Sequence, residues 1–172
     1  MSAASLNLQW TDRKRYLWLL GAPLMLLPLA GGWLAQATGW GAFWWFAPLF
    51  VYTAIPALDW LIGEDPSNPP EEAVAQLEQD RYYRYAVYLA VPLQYLTLIW
   101  GAWYAGTHEM LWWEWLGLAI SVGGVSGVGI NTAHELGHKT DPVERRLAKL
   151  ALATSAYGHF FVEHNRGHHV RV

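Results

Sequence analysis

Four stretches of this chain are long, apolar and almost free of charge, and that pattern constrains its fold more than any other feature. They cover residues 16–35, 40–62, 83–105 and 111–130. Each has the roughly 20 residues a helix needs to cross a hydrocarbon layer. Inside lipid no water can bond the backbone, so such segments must satisfy their own N–H and C=O groups as helices. The expected fold is therefore all-α and integral to the membrane, a multi-span helical bundle with four spans in this chain. Average composition would not give this result: 53% hydrophobic residues is only modestly above a soluble domain. Pro23, Pro28, Pro48, Pro56 and Pro92 fall inside the spans, where membrane helices tolerate them. The first apolar run is full length and has no small-residue cleavage site close behind a short core, so it reads as a retained span.

Charge sets the expected orientation. Arg13, Lys14 and Arg15 precede the first span, and Arg81 and Arg84 precede or open the third. Lys139, Arg145, Arg146, Lys149, Arg166 and Arg171 follow the fourth, and the short loops at 36–39 and 106–110 carry no Lys or Arg. With four spans every basic cluster lies on one side, which the positive-inside rule makes cytoplasmic. The chain thus divides into a four-span region, 1–130, with an acidic cytoplasmic loop at 63–82, and a cytoplasmic-face segment, 131–172. Twelve Trp suit a membrane–water boundary. A net charge of −3 gives no nucleic-acid footprint. Without cysteine there is no disulfide, iron–sulfur ligation or thiol nucleophile.

Within the loop, GEDPSNPPEEAVAQLEQD predicts a short surface helix from Pro70 onward. Asp141-Pro142-Val143-Glu144 reads as a helix start, with Asp as N-cap and Pro at the first helical position. The apolar part of that helix, 150–162, has only 13 residues. At about 1.5 Å per residue it covers roughly 20 Å, too short to cross. His159 to His169 should therefore return to the face that holds His134.

Six of the seven histidines lie from His134 onward, in NTAHELGHKT and GHFFVEHNRGHHVRV. His134 and His138 are four apart, as are His164 and His168, with His169 adjacent. Residues four apart share a helix face with Cβ atoms roughly 5–6 Å apart, and two such imidazoles can converge on one ion with bonds of about 2.0–2.1 Å. On a helix His169 points away from His168 and could address a second ion. One HxxxH is weak evidence; two on one membrane face are strong. His134-Glu135-Leu136-Gly137-His138 also matches H-E-x-x-H, a zinc hydrolase motif in which Glu is the general base. One zinc with an open position needs only one further ligand. The surplus of histidines in the second box argues for two ions, and an all-nitrogen set suits iron or copper as well as zinc.

NTAHELGHK and EHNRGHHV resemble the first two histidine boxes of membrane alkane monooxygenases, and GEDPSNPPEE resembles the family's loop between its second and third spans. The resemblance covers the whole chain. It implies a non-haem di-iron centre of two iron ions, with His134, His138, His164, His168 and His169 as ligands. It further implies terminal hydroxylation of medium-chain n-alkanes to 1-alkanols with dioxygen, electrons from rubredoxin, and residence in the bacterial inner membrane. The family has further histidines in a third box and an HYG-type motif, which implies that this chain is the N-terminal part of a longer protein. Other histidine-box membrane enzymes, such as xylene monooxygenases and fatty-acid desaturases or hydroxylases, share this metal logic, and an intramembrane zinc protease is the remaining alternative. His159 and His108 match no box.

Neutral histidines leave the charge of two metal cations uncompensated, so acidic partners are expected around them. Glu135 and Glu163 are the best placed and Asp59 a weaker candidate; a helix-face ion pair with Lys139 or Arg166 is the plainer role for the two glutamates. Asn131, one turn before His134, could orient it. Alkane should arrive from lipid, and span two, with Trp44, Trp45, Phe46, Phe50 and Tyr52, is one candidate wall for its path. Gly123 and Gly127 read as a close helix-packing pair.

Overall fold

A computed structural model describes residues 10–65 and 67–168, apart from the side chains of Asn165, Arg166 and His168. Its four long helices are span one, Arg15–Thr38, span two, Gly41–Ile62, span three, Arg81–Thr107, and span four, Trp112–Gly137, each long and apolar enough to cross a membrane. No strand occurs among the described residues. A surface helix, Glu71–Gln79, follows the predicted position after Pro70. A bridging helix, Pro142–Ala153, and a last helical stretch, Phe160–Val162 running into a π-helical turn Glu163–His168, complete the chain.

The prolines explain why the first two spans are segmented and the others continuous. Proline lacks an N–H and clashes with the preceding turn, so it is cheapest where a helical segment begins. Pro23 and Pro28 open the segments Ala22–Leu26 and Leu27–Thr38 of span one. Pro56 opens Ile55–Ile62 of span two, just after a π-helical turn, Phe50–Ala54. Pro92, by contrast, sits inside the unbroken helix of span three.

Span four runs seven residues past the boundary expected at Ile130. Hydropathy ends the apolar run at the first polar residues, but Asn131–Gly137 keep the helical backbone, with Ala133 and Leu136 buried against the bridging helix. His134 is therefore carried on the end of a membrane helix and not on a separate segment.

Short side chains and buried polar groups hold the bundle. A Cβ on Gly31 would lie 2.5 Å from the Phe43 carbonyl oxygen, so spans one and two touch only because glycine stands there. Thr97 Oγ1 donates to the Met25 carbonyl at 2.6 Å, and Ser121 Oγ to the Trp44 carbonyl at 2.8 Å, both buried. Buried Gln94 on span three donates to the Ser126 carbonyl of span four at 3.3 Å and to Thr154 Oγ1 beyond the bridging helix. Interhelical bonds of this kind contribute about 0.6 kcal/mol each in membrane bundles, so they fix register more than total stability.

The basic clusters gather at one end of the bundle. Lys14 pairs with Asp65, and Arg15 with Asp80 at 3.1 Å while lying 4.2 Å from the Tyr82 ring centroid. Asp12 accepts from the Tyr83 hydroxyl at 2.7 Å and the Lys14 N–H at 2.8 Å. The Tyr83 bond, with help from Lys14, Trp18 and Arg15, holds the Asp12 carboxyl below its ordinary range. Arg84 approaches Glu144 of the bridging helix at 3.7 Å, bringing that helix to the same end.

Asp141 caps the bridging helix as its sequence predicts, accepting from the Val143 N–H at 2.7 Å. Glu144, expected only as part of the helix start, is instead buried with its carboxylate on the Tyr88 hydroxyl at 2.8 Å. The helix also does not continue through 150–162. It stops at Ala153, where the Tyr157 N–H reaches back to the Leu152 carbonyl at 3.0 Å and the Ala156 N–H to the Ala153 carbonyl at 3.1 Å. That pairing is a Schellman motif, which needs a left-handed residue before the chain turns away. Ala156 takes it with φ 54°. An L-residue there is strained by about 1–2 kcal/mol. Ala156→Gly should therefore stabilise the protein by about 1 kcal/mol, read as a higher unfolding midpoint in detergent; a lower midpoint would mean that the turn is not held left-handed.

Candidate metal centre

Three histidines from the two sequence boxes meet at the end of span four. His134 and His138 lie on successive turns of that helix, and the Schellman turn sends the chain back so that His164 faces them. His134 Nε2 lies 2.8 Å from His164 Nε2 and 2.8 Å from His138 Nε2, and the last two nitrogens are 3.3 Å apart. His134 and His164 are half-buried and His138 is exposed. A packed cluster supports them from behind: Ala133 and Leu136 of span four meet Ala148, Ala151 and Leu152 of the bridging helix, with Phe161 alongside.

Hydrogen bonding alone does not account for this triangle. Each neutral imidazole brings one N–H, and three Nε2 atoms cannot all be paired with one another without two lone pairs or two N–H groups facing. A cation between them removes that conflict. For bonds of about 2.1 Å, nitrogens at right angles lie about 3.0 Å apart and nitrogens at tetrahedral angles about 3.4 Å. The observed separations of 2.8, 2.8 and 3.3 Å centre on the first value. The donor set therefore fits a metal ion bound on one face by three imidazoles, with its other positions open, and such nitrogen donors suit iron, copper or zinc. Because Nε2 is the converging atom on all three rings, Nδ1 is left for a second hydrogen bond that fixes each tautomer.

The other predicted residues divide plainly. His169 and the His168 side chain lie outside the described residues. Glu135 and Glu163 are exposed and make no side-chain hydrogen bond or ion pair among the described residues, neither with the histidines nor with Lys139. Asn131 is likewise exposed and without such a bond among the described residues. Asp59 is exposed on span two and is not part of the cluster. His159 packs edge-on against Tyr157 at 4.6 Å, and His108 stacks on Tyr104 at 4.0 Å beside the loop between spans three and four.

The aromatic residues of span two divide between packing and exposure. Trp44 is buried against Trp100 and Tyr104, and Trp45 Nε1 donates to the Trp113 carbonyl at 3.1 Å. Both are packing residues in the half of the bundle remote from His134, whereas Tyr52 is 79% exposed. Gly123 and Gly127 have open space where a Cβ would lie, so no helix among the described residues packs closely on them. Sequence reasoning passed over two aromatic residues: Phe160, which stacks on His164 at 4.9 Å, and Tyr157, which stacks on Phe160 at 5.2 Å. The spacing carried a signal, since Phe160 stands four residues before His164.

Comparison with known proteins points the same way as the boxes. The chain is 50% identical over 161 residues to an alkane 1-monooxygenase of Ectopseudomonas oleovorans, covering 94% of this chain and 40% of that protein. It is 48% identical over 161 residues to an alkane 1-monooxygenase of Pseudomonas putida, with the same coverages. Against alkane 1-monooxygenase 1 of Alcanivorax borkumensis the identity is 47% over 163 residues, 95% of this chain and 40% of the relative. Identity near one half over almost the whole chain makes these proteins its homologues. The chain spans about 40% of the length of the relatives it matches. No family model matches it.

His134→Ala removes the nitrogen that lies 2.8 Å from both others. In the full-length protein it should lower bound metal by about one ion per chain, measured by elemental analysis. Unchanged metal content would show that the three rings meet for another reason.

Proposed function

We propose, from the kinship with alkane 1-monooxygenases, that the protein containing this chain hydroxylates the terminal carbon of medium-chain n-alkanes. The reaction uses dioxygen, gives 1-alkanols, and draws its electrons from rubredoxin. The observation that carries this reading is the convergence of His134, His138 and His164 at the end of a membrane helix. With His168 and His169 they supply ligands to two iron ions, and the rest of the protein completes the set.

An alkane C–H bond has no acidic proton and no polar handle, so side-chain acid–base chemistry cannot break it. A bound pair of iron ions would supply the reducing power toward dioxygen that this chemistry requires. The chain's own residues have narrower tasks. The three imidazoles point Nε2 toward one another. Phe160 and the cluster around Leu136 and Leu152 form an apolar wall behind them, which keeps water from that side. Glu135 and Glu163, carried on the same helical stretches and exposed, would offset cationic charge once metal is bound. Substrate partitions into lipid and reaches the site from there. The basic end carries Lys14, Arg15, Arg84 and the histidines, so the positive-inside rule sets it on the cytoplasmic side of the bacterial inner membrane.

The test uses full-length protein in membranes with rubredoxin, its reductase, n-octane and isotopically heavy dioxygen. Primary octanol carrying the heavy oxygen is the expected product. Turnover of xylene or a fatty-acyl substrate without octane oxidation would move the protein to another histidine-box class, and peptide cleavage dependent on one zinc would replace the reading altogether. Glu135→Gln should weaken iron binding by about 10–100-fold, measured by competition with a chelator. Intact iron content and turnover would remove Glu135 from the site.

A further inference from the structure

We propose that Phe160 is a positioning residue for the metal centre, a flat apolar clamp that fixes the rings of His164 and His134 toward each other. The inference rests on the reading of the three histidines as metal ligands. Phe160 lies nearly parallel to the His164 ring, at 4.9 Å and 16°, and meets the His134 ring edge-on, at 6.2 Å and 70°. It thus touches one ligand from each box. Stacked and edge-to-face arrangements are the two geometries aromatic rings prefer, and each restricts rotation of the partner ring.

The clamp is itself anchored. Tyr157 also stacks on Phe160, at 5.2 Å and 27°. Its N–H bonds the Leu152 carbonyl at 3.0 Å in the turn that ends the bridging helix, and the Phe160 N–H bonds the Tyr157 carbonyl at 3.1 Å. Leu152, in turn, belongs to the cluster that packs the bridging helix on Ala133 and Leu136, the neighbours of His134 in span four. A continuous chain of contacts therefore runs from span four through the bridging helix and Tyr157 to Phe160, and back to both ligands.

A metal-binding imidazole is usually oriented by a carboxylate or carbonyl on its Nδ1. Here, among the described residues, no side-chain carboxylate bonds the Nδ1 of His134, and the aromatic clamp takes over that orienting task. The adjacent Phe161 serves as an internal contrast. It is buried in the cluster, with Arg145 and Lys149 lying over its ring at 5.5 and 5.0 Å, and has a structural role.

The test loads full-length protein with cobalt(II), whose visible absorption reports ligand geometry, and compares affinity and spectrum across variants. Phe160→Leu should weaken cobalt(II) binding by about 10–100-fold and shift the absorption bands. Phe160→Tyr, which keeps a flat ring, should restore both. Phe161→Leu should lower the unfolding temperature while leaving the spectrum as in the wild type. Wild-type affinity and spectrum in Phe160→Leu would overturn the proposal, as would a Phe160→Tyr variant that folds but binds no better than Phe160→Leu. A wild-type protein that gives no cobalt(II) spectrum at all would overturn the metal reading first and this inference with it.

Discussion

Bringing three imidazole nitrogens to within 3.3 Å of one another is unfavourable by itself, because neutral rings present lone pairs where only some can find a proton. Something must hold them, and much of the structure at this end of the bundle does so. Span four continues past the lipid boundary to carry His134 and His138. The bridging helix packs back on span four, its end is set by a Schellman turn, and the turn delivers His164. The strained Ala156 fits this account, since a left-handed residue costs free energy and persists only where the surroundings determine it. An ion placed among the nitrogens converts that strain into a binding site.

The two ends of the bundle are built differently. The end away from the histidines is closed by Trp44, Trp100 and Tyr104 with Leu118 and Val122, large side chains filling the space between helices. The histidine end uses small residues, Ala133, Ala148 and Ala151, which let the bridging helix come close to span four. Buried Glu144 is the exception. Its carboxylate is satisfied by the Tyr88 hydroxyl and the Arg84 guanidinium, which ties the bridging helix to span three. A buried carboxylate without such partners would be costly; with them it specifies one docking position. The second half of span two, Ile55–Ile62, has no buried residue and leaves Trp60 82% exposed.

Much of this was legible in the chain itself. Apolar runs of the length of a bilayer gave four helices, and the Asp141-Pro142 start gave the bridging helix its first turn. The histidine spacing marked three residues that the fold brings together. Other features were hidden for physical reasons. Hydropathy reads where lipid ends and not where a helix ends, so span four was cut short at Ile130. The stop at Ala153 depends on one backbone angle at an alanine, a residue that carries no turn signal. Trp44 and Trp45 look alike in sequence to lipid-facing aromatics, and only packing against span three and span four shows that they face inward. Phe160 was overlooked because an apolar residue near a membrane has a default explanation, although its spacing from His164 matched that of the histidines.

X-ray absorption at the metal edge of the full-length protein, isolated with its native metal, tests the central claim most directly. The account predicts iron, about two ions per chain, with imidazole scattering and nitrogen neighbours at about 2.1 Å. A single zinc, or iron without an imidazole shell, would contradict it.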